Sequence, residues 1–406
     1  MKLRRVPAAL CLLGLALLLC WPHSPARATG TDSHVLFMPL AARSLKTPNL
    51  AATPPMGWGS WNKFGCNISE GLIESIADAL VSSGMRDAGY RYVNVDDCWQ
   101  SGRDERGTIL ADPQRFPSGM RALGDYLHAR GLKFGIYSDR GTLTCAGRPG
   151  SYGYEYQDAR TYAGWGVDYL KYDNCYAVGD QQADYERMRD ALAASGREIV
   201  FGICAWEFQS WMPDTGQLWR TSGDIADDWA TMTGIVDVNA ELAAHAGPGG
   251  WNDPDMLEVG NGRMTDAQYR AHFSLWAVMA APLIAGNDVR RMSAGTRAIL
   301  LNDEVIAVDQ DPLGRQGIKV RDDGNQEIFA KELDGGAARA VVLLNRGGAP
   351  AEMTVTWSEI GLPPGSAASV RDLWSHANLG GFLGGYAVSV PAQSVVMLKV
   401  VAGATP

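Results

Sequence analysis

From residue 53 to about residue 290 the chain alternates eight short apolar runs with amphipathic stretches, and no other feature limits its possible folds as tightly. The runs are MGWGSWNKF, YRYVNVDDCW, LKFGIYSD, VDYLKYDN, IVFGICAW, LWRTSGDI, GGWNDPDML and APLIAGND. The stretches between them carry helix signals. In SEGLIESIADALVSSGMRDAG, Ser69 stands at an N-cap position and Gly84 or Gly89 at a stop. PSGMRALGDYLHARG and EYQDARTYAGWG have the same character. Eight strand–helix units over about 240 residues predict a (β/α)8 TIM barrel of the α/β class. A doubly wound open sheet is the competing fold. It ordinarily carries a Gly-rich phosphate loop after its first strand, and none follows here.

Beyond about residue 302 the period changes. IKVRDDGNQEIFAKELDGGAARAVVLLNRG reads as strands turning at Asp323-Gly324 and at Asp334-Gly335-Gly336. AEMTVTWSEI, ASVRDLW and YAVSVPAQSVVMLKV continue the alternation. The expected organisation is a signal peptide over 1–28, a lead-in over 29–52, the barrel over 53–302 and a C-terminal antiparallel β-sandwich over 303–406.

The signal peptide rests on Lys2, Arg4 and Arg5, an apolar stretch from Ala8 to Trp21, and the small-x-small site Ala26-Arg27-Ala28. The apolar stretch is shorter than the roughly 20 residues of a membrane span. A lipoprotein cysteine at Cys20 is disfavoured by Leu19 before it. The expectation is a secreted or extracytoplasmic protein with no membrane attachment after cleavage. Loss of 1–28 removes four basic and no acidic groups, so the formal charge goes from -9 to -13. That balance argues against nucleic acid and anionic membrane surfaces as partners. Of seven cysteines, Cys11 and Cys20 leave with the signal, and the remaining five suit two bridges and one free thiol. Spacing alone does not pair them, although Cys204, inside IVFGICAW, reads as the buried odd one out. No Cys-x-x-Cys or His-x-x-x-His spacing points to a metal, and no cofactor is expected.

In a (β/α)8 barrel the C-terminal strand ends form the active face. Here nearly every run ends in polar residues: Asp96-Asp97, Asp139, Lys171 with Asp173, Asp224, Asp253 with Asp255, and Asn287-Asp288. Any one of them alone reads equally well as a helix N-cap or turn residue. So many carboxylates on one rim, among tryptophans and tyrosines, suit a neutral polyhydroxylated ligand. In VDYLKYDNCY, Lys171 and Asp173 alternate and so point to the same side. Breaking a glycosidic bond takes one ionised and one protonated carboxyl group. Asp173 suits the ionised role because Lys171 favours its charged form. Asp224, in WRTSGDI, is the candidate acid, and Arg220 would lower its pKa unless it is committed elsewhere.

Seven motifs in order, TPPMGWGSWNKFGCN, VNVDDCW, KFGIYSD, TCAGRPGSYGYE, DYLKYDNCY, WRTSGDI and GGWNDPDMLEVGN, resemble glycoside hydrolase family 27. This is the α-galactosidase and α-N-acetylgalactosaminidase family, related to melibiases. The resemblance implies a retaining exo-glycosidase that removes terminal α-D-galactosyl residues from oligo- or polysaccharides through a covalent glycosyl-enzyme. It implies Asp173 as nucleophile and Asp224 as acid/base. Asp96 and Asp97 match the pair that holds the sugar 4- and 6-hydroxyls, and Trp61 matches the pocket wall. Tyr137, Lys171 and Arg220 match sugar-contacting positions, with Cys204 and Trp206 beside them. Cys66–Cys98 and Cys145–Cys175 match family disulfides.

One departure bears on the substrate. Many α-galactosidases of the family read Cys-Glu-Trp after strand five, whereas this chain reads CAWEF. A small residue at Ala205 makes room for an N-acetyl group in the N-acetylgalactosaminidases, but Phe208 stands where their second small residue would be. Glu207 reaches the sugar 2-hydroxyl only if the loop is rebuilt. The Asp96-Asp97 pair argues against a β-L-arabinopyranosidase. A galactose-binding protein without catalysis would lack Asp173 or Asp224, and both are present. Galactose is therefore the expected sugar; Asn67-Ile-Ser is a glycosylation sequon, and oligomeric state is not legible.

Overall fold

The computed structural model describes residues 50–403, so the expected signal peptide and most of the lead-in lie outside the described residues. The strands of the first domain are β1 (Met56–Gly59), β2 (Tyr92–Val95), a hairpin of β3 (Gln100–Arg103) and β4 (Ile109–Ala111), then β5 (Lys133–Asp139), β6 (Tyr169–Asp173), β7 (Val200–Ile203), β8 (Leu218–Arg220), β9 (Trp251–Asp253) and β10 (Leu283–Ala285). Leaving out the hairpin, they form one eight-stranded sheet in the order β10-β1-β2-β5-β6-β7-β8-β9, parallel throughout. Leu257 closes the remaining seam. Its N–H donates to the Ile284 carbonyl at 2.8 Å, and its own carbonyl accepts from Gly286 N–H at 2.9 Å. The sheet thus curls into the expected barrel, with each predicted apolar run supplying one strand.

The helices are α1 (Trp61–Phe64), α2 (Glu70–Ser82), α3 (Gly119–His128), α4 (Glu155–Trp165), α5 (Gln181–Ala194), α6 (Trp229–Ala240), α7 (Asp266–Val278), α8 (Ala294–Leu300) and α9 (Asp303–Asp309). α2 shows why the sequence signals work. Ser69 Oγ accepts the Leu72 N–H at its start, Gly84 follows its end at φ +90°, and Ile73, Ile76, Ala77 and Leu80 form the buried stripe. α7 is different, buried on nearly every side from Ala271 to Val278, because it packs on α8 and α9 and also on the second domain.

That second domain contains β11 (Ile318–Asp322), β12 (Gln326–Glu332), β13 (Ala338–Asn345), β14 (Ala351–Thr356), β15 (Ala367–Asp372), β16 (Ala377–Leu383), β17 (Gly385–Val390) and β18 (Ser394–Ala402). Six of them form an antiparallel sheet in the order β11-β12-β13-β18-β15-β16, and β14 pairs with β17 in a second layer. Alternation along β13 serves both faces. Val341 and Leu343 join Val355, Trp357 and Leu398 between the layers, while Val342 and Leu344 join the core shared with the barrel. This is the expected β-sandwich.

Candidate active site

The ends of the barrel strands surround a cavity of about 470 Å³. It is lined by Trp61, Asp96, Asp97, Tyr137, Lys171, Asp173, Trp206, Arg220 and Asp224, so the structure brings together every candidate site residue except Cys204. Cys204 lies beneath the floor, buried, with its sulfur 3.6 Å from Arg220 Nη1. Burial pushes its thiol pKa well up.

β2 delivers the paired aspartates. Asp96 Oδ1 accepts the Asp97 N–H at 2.9 Å, and its Oδ2 accepts from Lys171 Nζ at 2.9 Å. Asp97 is held by the loop after β5: Thr144 Oγ1 donates to it at 2.9 Å and the Ala146 N–H at 2.8 Å. Burial raises the Asp97 pKa, and these bonds oppose the rise. The Cys66–Cys98 and Cys145–Cys175 disulfides brace the two loops involved, and Cys204 is the free thiol among the described residues.

β5 and β6 place Tyr137 beside Lys171 and Asp139 beside Asp173. Asp173 is buried; its Oδ2 accepts from Tyr137 Oη at 2.9 Å and its Oδ1 from the Asn174 N–H at 3.0 Å. Burial pushes its pKa up, while Lys171, Cys204 and Tyr137 pull it down. The Lys171 ammonium bonds to Asp96, so its action on Asp173 runs through space. Although burial disfavours the ammonium, Asp96 and its neighbours keep the Lys171 pKa well above the usual value. Glycines make room inside the barrel for Asn94 and Tyr169, which neighbour these side chains along β2 and β6. A Cβ on Gly135 would lie 1.8 Å from Asn94 Oδ1, and one on Gly202 would lie 2.8 Å from Tyr169 Oη.

β8 carries Arg220, only 3% exposed, whose Nη2 lies 3.0 Å from both Asp224 and Asp255. The Asp224 side chain is 67% exposed and looks out from the cavity wall. Three residues at the strand ends, Cys98, Trp206 and Asp255, have φ of +77°, +63° and +81°. Such backbone is costly away from glycine and gathers where side chains must be turned inward. Asp255 is fixed by its N–H on Asp253 Oδ1 and by its Oδ2 accepting the Ile225 N–H, each at 2.9 Å.

Several rim residues do other work. Asp139 accepts the N–H groups of Gly141 and Cys175, and burial pushes its pKa up to about 8. Asp288 caps a short turn and pairs with Arg290. Glu207 is exposed, bonded to Gln209, and absent from the cavity wall; the Phe208 ring lies 4.4 Å from that of His245. Sequence reasoning assigned no role to Glu258 or Asn261, which also line the cavity. Glu258 is buried and accepts from the side-chain amides of Asn62 and Asn261, and burial raises its pKa to about 7. A carboxylate flanked by Leu257 and Val259 in DMLEVGN was the available signal. Among the described residues one acidic and sulfur group is compact enough to hold an ion, Asp139 with Cys145 and Cys175, but both sulfurs are committed to the disulfide. No helix among the described residues is long and apolar enough to cross a membrane.

Two family models match the chain, "Alpha galactosidase A" over residues 53–311 and "Alpha galactosidase C-terminal beta sandwich domain" over residues 323–400. Alpha-galactosidase 2 of Arabidopsis thaliana is 52% identical over 83% of this chain and 86% of its own length. An alpha-N-acetylgalactosaminidase of Gallus gallus is more distant, 41% identical over 86% of this chain and 93% of its own. The crystal structure of alpha-galactosidase I from Mortierella vinacea superposes with a TM-score of 0.85, at 41% identity, covering 87% of this chain and 98% of that one. The chain belongs to glycoside hydrolase family 27, the melibiase family of α-galactosidases.

Proposed function

We propose that this protein is an α-galactosidase that hydrolyses terminal α-D-galactosyl residues with retention of configuration. The observation that carries the reading is the cavity itself: one buried carboxylate, Asp173, and one exposed carboxylate, Asp224, face a polar pocket edged by Trp61 and Trp206. In the proposed mechanism Asp173 attacks the anomeric carbon and Asp224 protonates the departing oxygen, then takes a proton from the incoming water. Tyr137 and Lys171 keep Asp173 anionic against its burial. Asp96, already partnered by Lys171, is an acceptor for sugar hydroxyls, with Asp97 beside it. Cys204 acts from below, supporting Arg220 and Asp173 rather than touching the sugar. The two disulfides and the basic, apolar and small N-terminal pattern support an extracytoplasmic location after signal cleavage.

Initial rates on matched nitrophenyl glycosides test the sugar. The α-galactoside is expected to be cleaved at least tenfold faster than the α-N-acetylgalactosaminide or the β-L-arabinopyranoside, a margin of about 1.4 kcal/mol. A faster N-acetyl substrate would assign the specificity to the space beside Ala205 instead.

A further inference from the structure

Three carboxyl groups gather around the buried Arg220 guanidinium. Its Nη2 lies 3.0 Å from both Asp224 and Asp255 at the cavity wall. The third, Asp253, stands opposite Arg220 in the β8–β9 register. Asp253 does not line the cavity and so does not touch the sugar. It lines a smaller chamber of about 40 Å³ beneath the floor, inside the barrel. Arg220 lines that chamber too, and its buried Nε has no hydrogen-bond partner among the described residues. Arg220 thus borders both spaces, whereas Asp253 borders only the inner one.

The titratable groups that share the chamber with Asp253 are Asp96 after β2, Tyr169 and Lys171 from β6, Cys204 after β7, Arg220 from β8 and Asp255. Lys171 is committed to Asp96 at 2.9 Å. Tyr169 and Cys204 are neutral, their pKa values pushed well up by burial. That leaves Arg220 as the cation available to Asp253. Burial raises the Asp253 pKa to about 6, and Arg220 is the main influence holding it down. Asp253 also steadies the chain beside the acid. Its Oδ1 accepts the Asp255 N–H at 2.9 Å, and Asp255 in turn accepts the N–H of Ile225, next to Asp224. A carboxylate so placed offsets part of the guanidinium charge that Asp224 feels. The offset grows as pH rises through about 6, in the direction that helps a general acid keep its proton.

We propose that Asp253 is a positioning residue for the acid/base: from beneath the floor it offsets the charge of Arg220, so that Asp224 can carry the proton the departing oxygen needs. It acts through Arg220 and Asp255 and never meets the sugar. This rests on the reading of Asp224 as general acid and explains how that group holds a proton beside a guanidinium.

The test is the pH profile of kcat/KM for Asp253→Asn, which keeps an oxygen for the Asp255 N–H and removes the charge. On methyl α-galactoside, whose oxygen leaves only with a proton, the alkaline midpoint is expected about one pH unit below that of the unaltered enzyme, a loss of about tenfold on the alkaline side. On dinitrophenyl α-galactoside, whose phenolate departs without a proton, the two profiles are expected to coincide. Asp253→Ser, smaller but still carrying an acceptor, is the second variant and is expected to move the midpoint the same way. Near-ultraviolet circular dichroism and thermal midpoints check that both variants fold. An unmoved alkaline midpoint would overturn the proposal. So would an equal loss on both galactosides at every pH, or failure of both variants to fold, since Asp253 would then serve the fold alone. If Asp224→Ala loses no more on the methyl than on the dinitrophenyl galactoside, the acid role of Asp224 fails instead.

Discussion

Arg220 is where the proposed chemistry is most constrained. A guanidinium beside a carboxyl group favours the ionised form, yet a general acid must carry a proton. In this site the same Nη2 serves both Asp224 and Asp255, and only Asp255 is buried with it. Asp224 is 67% exposed and so stands where both a departing oxygen and an incoming water can reach it. Asp224→Ala is expected to lower turnover about 10²–10⁴-fold on substrates with poor leaving groups. The loss should be far smaller for activated nitrophenyl galactosides, whose leaving group departs without a proton. Rate constants for a leaving-group series check this; equal losses across the series would remove Asp224 from the acid role. Asp173, Lys171 and Asp224 were legible as candidates because so many charged residues end apolar strands on one rim, although any one of them alone reads equally well as a cap or turn residue. Glu258 and Asn261 were not. Their meaning depends on Asn62, nearly 200 residues away in sequence, and the one local signal, a carboxylate between Leu257 and Val259, does not point to that contact.

At the scale of elements, the eight barrel strands were readable because each is a compact apolar run followed by polar residues. The β3–β4 hairpin was not. Its strands read QSGR and ILA, too short and too polar to show a period, and they are held by pairing with each other and by Arg103 reaching Gly150 and Asp158. β16, reading ANLGGFL, was missed because two glycines interrupt it and its pairing with β15 shifts register at Val370/Arg371. The loop after β7 shows the opposite limit. CAWEF brings Glu207 to the pocket only if the loop is rebuilt, and the structure keeps it away: Trp206, at positive φ, lines the pocket while Glu207 faces solvent. A single backbone angle therefore decided which of two neighbours joins the site.

Across the whole molecule, burial of carboxyl groups sets the dependence of stability on pH. Asp139, Glu258 and Asp253 have folded pKa values raised by burial to about 8, 7 and 6. Unfolded, each titrates near the ordinary carboxylate value of about 4. Between those limits the folded chain holds protons that the unfolded chain has released, so stability is full below about pH 4 for these groups and is lost as pH rises through the folded values. His272, lowered to about 3 by burial, acts in the opposite sense below about pH 6.5, but it is one group against these three and Asp309, which burial also raises. Glu304, held down to about 2 mainly by the Arg371 hydrogen bond, loses its contribution only under stronger acid. The thermal midpoint is expected to be several degrees lower at about pH 7.5 than at about pH 5, and a scanning calorimeter reading the reverse would refute this balance.

In the proposed mechanism Asp173 opens the glycosidic bond as a nucleophile and thereby preserves configuration. Two inversions at the anomeric carbon restore the starting stereochemistry, whereas direct attack by water inverts it. Proton NMR of the first sugar released from nitrophenyl α-galactoside, recorded before mutarotation, reads the outcome directly. α-Galactose is expected as the initial product. β-Galactose, or no release at all, would contradict it.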